Sequence, residues 1–438
     1  MNLITLLKKV KKYCNNIMDF EEKYNRKIKS LYTNPHNIIY EPTNHCYTIH
    51  DREDYTNIIV YTIDPDNCTD ADDGFSFYEK ENKLYLDLHI ADPTDYISID
   101  SKLWLYMLNQ CTTKYPSNNK PIHLLPENIM KIASLQDNGI KKAITLHIEI
   151  DNNTYLPTNN IELLFTNIKV DSSYNLTYSE ATALDLSLPL KIADELFKLR
   201  MNTGAKINEI SIAYPKFDNG DITLYEDSKD EKAIKQMISE FAIFTNTYVA
   251  KYLNKHLNVC IFRSCDASSN LTMNDIIING IRANYNSSRS NHDLIGVPNY
   301  CHFTSPIRRV TDCVCHYLLK SIHLNITHPF DLENIAKKCD FISRNDKKIQ
   351  FADNKFRLLQ YMDKIINDEG KVYIKYYIAN YKNGFLNITI CNINNYNVYL
   401  SYSLRTKYHK DIDNSIKEIE ITIINNESSL PELDKTLK

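Results

Sequence analysis

From Thr62 to Gly74 the chain reads Thr-Ile-Asp-Pro-Asp-Asn-Cys-Thr-Asp-Ala-Asp-Asp-Gly, directly behind the apolar run Ile58-Ile-Val-Tyr-Thr-Ile63. That β-branched run reads as a buried strand. Asp64, Asp70, Asp72 and Asp73 therefore sit at the end of a rigid element, with Asp66 among them. Like charges held so close repel unless a cation lies between them. Hard divalent cations with oxygen ligands meet that need, Mg²⁺ above all with Mn²⁺ as a substitute. An EF-hand Ca²⁺ loop fits poorly, because Cys68 stands where a ligand is required and Asp73 where that motif has glycine.

Bulk properties remove several other classes. A length of 438 residues predicts two or three domains. Glycine occurs only eight times, at 74, 139, 204, 220, 280, 296, 370 and 384, never closer than fourteen residues apart. That spacing excludes a P-loop, a GxGxxG fingerprint and a GxSxG nucleophile elbow. No apolar run of about 18 residues is present, so neither a membrane span nor a membrane partner is expected. The basic, amphipathic start Met1–Tyr13 reads as a packed helix, with a membrane-surface helix as the alternative. Eleven cysteines without a repeating spacing predict free thiols in a reducing compartment, hence a cytoplasmic location. His45, Cys46 and His50 lack the second ligand pair of a zinc site. A net charge of −4 means that any nucleic-acid binding relies on a local positive channel.

The expected fold class is mixed α/β (α+β). Residues 1–55 read as helical, then irregular, broken by Pro35 and Pro42. Residues 56–325 form a dense α/β domain. Within it, Phe75–Phe77 and Leu84–Ile90 are expected as antiparallel strands joined by a polar turn at 79–82. Leu84, Leu86, Leu88 and Ile90 alternate on one face. That hairpin can form the floor of the aspartate loop. Long helices are expected over Leu184–Asn202 and from a Ser228/Glu231 capping box to about Tyr252. Glu240 shares an apolar stripe of the second helix with Ala233, Met237 and Phe244. It is either half of a buried salt bridge or a polar group aimed into a substrate channel. Residues 326–368 read as a helical extension. Residues 369–438 read as a small β-rich domain of OB or S1 type, whose Tyr373, Tyr376, Tyr377 and Tyr381 could stack bases.

A third helix is expected to start at Ser305-Pro306, a favoured N-cap and N1 pair. Arg308 and Arg309 then fall in its first turn, where they add to the positive end of the helix and suit a phosphate. The alternative is a pair of surface arginines bonded to neighbouring acids. Metal-holding carboxylates and an arginine are the two halves of a phosphoryl-transfer site, in which two metals about 4 Å apart hold the attacking and leaving oxygens.

These residues carry a resemblance. Thr62-Ile-Asp-Pro…Asp70-Ala-Asp-Asp73 resembles the signature of the RNB catalytic domain of ribonuclease II, RNase R and the exosome exonuclease subunit. His89-Ile-Ala-Asp92, Leu124-Leu-Pro-Glu127 and Ile238-Ser-Glu-Phe241 with Thr245-Asn246 resemble its next blocks. Tyr300-Cys-His-Phe-Thr-Ser-Pro-Ile-Arg-Arg309, with Asp312 and His316, resembles its most specific motif. The blocks follow the family order over about residues 56 to 322.

The resemblance implies a 3′→5′ exoribonuclease that hydrolyses single-stranded RNA to nucleoside 5′-monophosphates. By position, Asp64, Asp70 and Asp73 would hold metal, and Asp72 would be both a metal ligand and the indispensable catalytic carboxylate. Arg308 would meet the scissile phosphate, with Arg309 beside it on the RNA. Tyr115 would stack on the terminal nucleotide, and Glu240 would contact the 3′ end. The chain departs from the family at Val310, where Tyr is usual, and at Asn109 or Gln110, where Arg is usual. The family's two cold-shock barrels precede its catalytic domain, whereas about 55 residues precede the first block here. A monomer is expected, with a protein partner as one way to replace those barrels. The alternative function is a catalytically silent RNA-binding or regulatory protein that keeps the fold.

Overall fold

The computed structural model describes residues 40–116, 121–206, 212–218, 221–267, 281–288, 291–382, 384–405 and 415–422. The segment Met1–Tyr13 lies outside the described residues. The chain lays down β1 (Glu53–Tyr55), β2 (Thr62–Asp64) and the hairpin β3 (Asp73–Lys80) to β4 (Lys83–Ala91). Glu81 and Asn82 turn that hairpin with φ of 52° and 59°. Two left-handed residues give the turn whose twist matches the flanking strands.

The strand expected from Ile58 is shorter than its composition suggests. Pairing begins only at Tyr61, which exchanges hydrogen bonds with Phe75 at 2.8 and 2.9 Å. The parallel partner Asn175–Thr177 then covers only Thr62–Asp64. Without a ladder, Ile58–Val60 is irregular, and Ile59 is exposed.

Next come α1 (Lys102–Gln110), α2 (Glu127–Ala133), β5 (Gly139–Ile150), β6 (Pro157–Val170), β7 (Asn175–Thr177), α3 (Tyr178–Ala181) and α4 (Ser187–Asn202). The strands form a mixed sheet in the order β1-β6-β5-β4-β3. Its β1–β6 pair is parallel and the others are antiparallel. The hairpin β8 (Tyr214–Asp218) to β9 (Asp221–Tyr225) leads to α5 (Lys229–Leu257). The Ser228/Glu231 capping box opens α5, with hydrogen bonds of 3.1 and 2.7 Å. Short strands β10 (Phe262–Ser264) and β11 (Asn284–Asn286) precede α6 (Val310–His323).

The leucine alternation on β4 is used as expected. Leu84, Leu86 and Leu88 pack with Ile192 and Leu196 of α4 and Met237 and Phe241 of α5. Each such side chain contributes about 1.5–3 kcal/mol by leaving water. Further along the strand, Ile90 joins the larger core of Met107, Val249, Val314 and Leu318. Tyr47 and Ile49 are buried in that same core, and Tyr47 packs edge-on against Tyr317. The segment before residue 55 is thus partly built into the α/β domain.

The helical extension is α7 (Leu332–Glu369), ended by Gly370 at φ 78°. After it, β12 (Lys371–Lys382), β13 (Phe385–Ile393), β14 (Tyr396–Arg405) and β15 (Lys417–Thr422) form an antiparallel sheet in the order β14-β13-β12-β15. Its apolar face packs on Leu358 and Met362 of α7 and on Ile222 and Leu224 of β9. The molecule is a mixed α/β protein with a β-rich C-terminal part. Among the described residues, no helix is long and apolar enough to cross a membrane.

Candidate active site

The acidic loop is pinned by its backbone before any side chain acts. Asn67 is left-handed, and Cys68 N–H closes a turn onto the Pro65 carbonyl at 3.1 Å. Leu135 N–H bonds the Ala71 carbonyl at 3.0 Å, and Ala91 N–H bonds the Asp72 carbonyl at 2.8 Å. Gly74 follows where a Cβ would meet the Tyr61 carbonyl oxygen at 2.9 Å. Only glycine lets the strand after Asp73 pass this close to the strand before Asp64.

Four carboxylates converge there. Asp72 is buried, with Oδ1 accepting from Ile307 N–H at 2.7 Å and Oδ2 from Arg308 Nε at 2.9 Å. Asp70 Oδ2 accepts from the Tyr115 hydroxyl at 2.7 Å, and His123 Nδ1 lies 3.8 Å from the same oxygen. Asp64 Oδ2 is buried and has no hydrogen-bond partner. Burial pushes the Asp64 carboxyl up to about 7, and the charges of Asp73 and Asp70 push the same way. Burial also lifts Asp73 against the pull of Arg308 and Arg309, and holds Asp72 well above the usual range against the pull of Arg308. An orphaned buried carboxylate oxygen among acids that resist ionisation fits a divalent cation with oxygen ligands. Asp64, Asp70, Asp72 and Asp73 would hold it. Asp66 stands apart, exposed and paired with Lys216 at 2.7 Å.

The arginine half differs from expectation in its local form. Helix α6 begins at Val310, so Arg308 and Arg309 precede it instead of filling its first turn. Arg309 is extended (φ −139°, ψ 127°) and forms a β-bridge with Thr112. Thr113 N–H also bonds the Arg308 carbonyl at 2.9 Å, and Val310 N–H bonds the Cys111 carbonyl at 2.9 Å. This cross-link to residues 111–113 outcompetes the extra helical turn. The two arginines also separate in role. Arg309 gives both Nε and Nη2 to Asp312 at 2.9 Å, and Asp312 Oδ1 further accepts from Ser305 N–H at 2.8 Å. Arg309 therefore braces the turn. Arg308 is partly exposed, holding Asp72 through Nε and the Ser305 hydroxyl through Nη2 at 2.9 Å.

Glu240 is buried and bonded by Arg200 through both Nε (2.8 Å) and Nη2, while Arg200 Nη1 donates to the Ile295 carbonyl at 2.7 Å. Of its two readings, the geometry is that of the buried salt bridge. Tyr115 joins the site through Asp70 with its side chain partly exposed.

A buried ionic network behind the loop has no counterpart in the sequence reading. Arg52 bonds Asp92 and Asp95 at 2.5 and 2.9 Å, and Lys320 bonds both at 2.9 and 3.0 Å. Against burial, the charges of Lys320 and Arg52 hold Asp92 well below the usual range. His316 Nε2 meets the Phe303 carbonyl at 3.0 Å, which ties α6 to the segment before it, while Lys320 ties α6 to Asp92 at the end of β4. A lysine inside the apolar helix Val310–His323 is the sequence signal for this network, since a buried charge requires a partner.

Comparison with known proteins gives the following. The family model described as RNB domain matches residues 52–280 and 281–325. "Ribonuclease II, chloroplastic/mitochondrial" of Arabidopsis thaliana is 23% identical over 357 residues, covering 74% of this chain and 43% of that protein. Ribonuclease R of Chlamydia pneumoniae is 23% identical over 397 residues, covering 75% and 56%. The chain thus spans about half the length of the curated relatives it matches. Mycoplasma genitalium RNase R, solved in complex with ribose-methylated single-stranded RNA, superposes with a TM-score of 0.67 at 17% identity, covering 85% of this chain and 69% of that one. Yeast Ssd1, described as a pseudonuclease, superposes with a TM-score of 0.65 at 15% identity, covering 83% and 51%. At these identities the structural likeness is one of fold.

Proposed function

The chain belongs to the RNB domain family, and from that premise we propose that it is a hydrolytic 3′→5′ exoribonuclease. Its substrate is single-stranded RNA, its products are nucleoside 5′-monophosphates, and its metal is Mg²⁺, with Mn²⁺ able to substitute. One observation carries the reading. Asp72 meets Ile307 and Arg308 across 235 and 236 residues of sequence, so the carboxylate and arginine halves of a phosphodiester-cleaving centre form one unit.

Asp64, Asp70, Asp72 and Asp73 would hold the ion. When bound, it supplies polarisation of phosphate oxygens and activation of the attacking water. The chain's own residues do the rest. Arg308 sets a permanent cation beside the carboxylates, where negative charge grows on the phosphate in the transition state. Asp312 and Arg309 fix the turn that presents it. Tyr115 offers a partly exposed ring next to Asp70, placed to stack on a terminal base.

The second reading is an RNA-binding protein without activity, favoured by the likeness to the Ssd1 pseudonuclease. A 5′-labelled single-stranded RNA separates the two. The enzyme shortens it stepwise with Mg²⁺ or Mn²⁺ and stops with EDTA. Binding without shortening under every divalent metal establishes the second reading instead.

A further inference from the structure

Before and after the Arg308 turn the chain places a group of buried thiols that the proposed reaction does not use. Cys260 precedes β10, Cys301 opens the segment leading to Arg308, and Cys315 lies on α6; all three are fully buried. Their sulfur atoms all fall within 4.8 Å of one another, and Cys260 and Cys315 are 4.0 Å apart. Three sulfurs each about 2.3 Å from one cation stand about 4.0 Å apart in a planar arrangement. The Cys260–Cys315 pair already has that spacing, and the Cys301 sulfur lies within 4.8 Å of both.

Buried cysteines often serve simply as small apolar side chains. Here three of them, from three separate segments, turn their sulfurs to one point. A disulfide cannot account for the group, since pairing two thiols leaves the third. Three soft sulfur atoms brought to one point are the donor set that thiophilic d¹⁰ cations select.

We propose that Cys260, Cys301 and Cys315 bind one thiophilic d¹⁰ cation, Zn²⁺ or Cu⁺, as a structural brace for the segment that carries Arg308. Binding forms three metal–sulfur bonds and releases the three thiol protons, with no change in oxidation state. Cu⁺ is satisfied by three thiolates. Zn²⁺ takes a fourth donor, and the Asn246 carbonyl oxygen stands 3.4 Å from Cys301 Sγ. The Asn246 side chain already accepts from Phe303 and Thr304 N–H at 2.8 and 3.2 Å. A cation here would tie that anchored segment to both α6 and the start of β10.

The test uses the full chain, purified without chelator under reducing conditions and then dialysed against EDTA to strip carboxylate-held ions. Elemental analysis is expected to find one equivalent of zinc or copper retained per chain, which distinguishes the two cations. Anaerobic Cd²⁺ titration of acid-stripped, refolded chain should give a thiolate-to-cadmium absorption that saturates at one equivalent. That band should vanish in Cys301→Ser/Cys315→Ser, with circular dichroism checking its fold. If that variant does not fold, the wild-type measurements decide. No retained metal together with no cadmium–thiolate band in the folded wild type overturns the proposal, as does a band that survives in the folded double variant. None of these readouts depends on nuclease activity.

Discussion

Asp72 and Arg308 form one ion pair, Oδ2 to Nε at 2.9 Å, and the other oxygen of Asp72 is held by the Ile307 N–H at 2.7 Å. Both lone-pair faces of this carboxylate are therefore directed by the turn that carries the arginine. The carboxylate is thereby held in one orientation, and burial disfavours its charge against the pull of Arg308.

Asp72→Asn should keep the shape and remove the charge. Burial already disfavours the ionised form, so the fold should change by about 1 kcal/mol at most, a few degrees in Tm. Hydrolysis of single-stranded RNA should fall by about 10²–10³ or more, while RNA binding is retained. Single-turnover digestion, RNA anisotropy and thermal melting of the same preparation check the three parts. Loss of binding in step with activity would show that Asp72 holds the fold instead.

The acid cluster also predicts a metal effect that depends on pH. Asp64, Asp72 and Asp73 all have raised pKa values in the metal-free fold, Asp64 at about 7. The folded state then binds more protons than the unfolded one between the ordinary carboxylate range and about pH 7. Their contribution to stability is fully present below about pH 4 and is lost as the pH rises through the folded values. Asp92, held low by Lys320 and Arg52, acts in the opposite sense and loses its contribution in acid. The difference between Mg²⁺ and EDTA cancels that background, since the Asp92 network is present in both. Mg²⁺ should raise Tm more at pH 8 than at pH 5.5, because fewer protons must leave the site when it binds. An equal shift at both values would mean that the ion binds elsewhere.

Glu240 separates two roles that a sequence cannot. Its pairing with Arg200 through two nitrogens is that of a buried structural ion pair. Glu240→Ala leaves Arg200 without its partner and should cost about 3 kcal/mol in denaturant unfolding. Arg200→Met/Glu240→Leu should recover most of that, because two apolar groups replace two charges. A direct contact with RNA predicts the reverse: little change in stability for Glu240→Ala and a loss of RNA affinity that the double variant does not restore.

The parts legible in the sequence are those set by local chemistry. The acidic loop, the β3–β4 alternation, the Ser228/Glu231 cap and the switch to strands after Gly370 all follow from neighbours within a few residues. The parts that were not legible depend on distant partners. The Ser305-Pro306 pair has every local mark of a helix start, yet the bridge from Arg309 to Thr112 delays the helix to Val310. The run at Ile58 has strand composition but no ladder before Tyr61. Arg308 and Arg309 look equivalent as neighbours, and only the position of Asp312 makes one a brace and leaves the other beside the carboxylates.

Tyr115 tests how the substrate end of the site works. Its hydroxyl holds Asp70 Oδ2 at 2.7 Å, while 39% of the residue's surface remains exposed. These are separable properties. If the ring stacks on the last base, Tyr115→Ala should weaken RNA binding by about 1–3 kcal/mol and change the length of the final product, whereas Tyr115→Phe should bind RNA as the wild type does. If the residue serves only to fix Asp70, Tyr115→Phe should behave like Tyr115→Ala, and metal affinity should move in both while product length does not. Calorimetric Mn²⁺ titration beside a sequencing-gel readout of limit products distinguishes these outcomes.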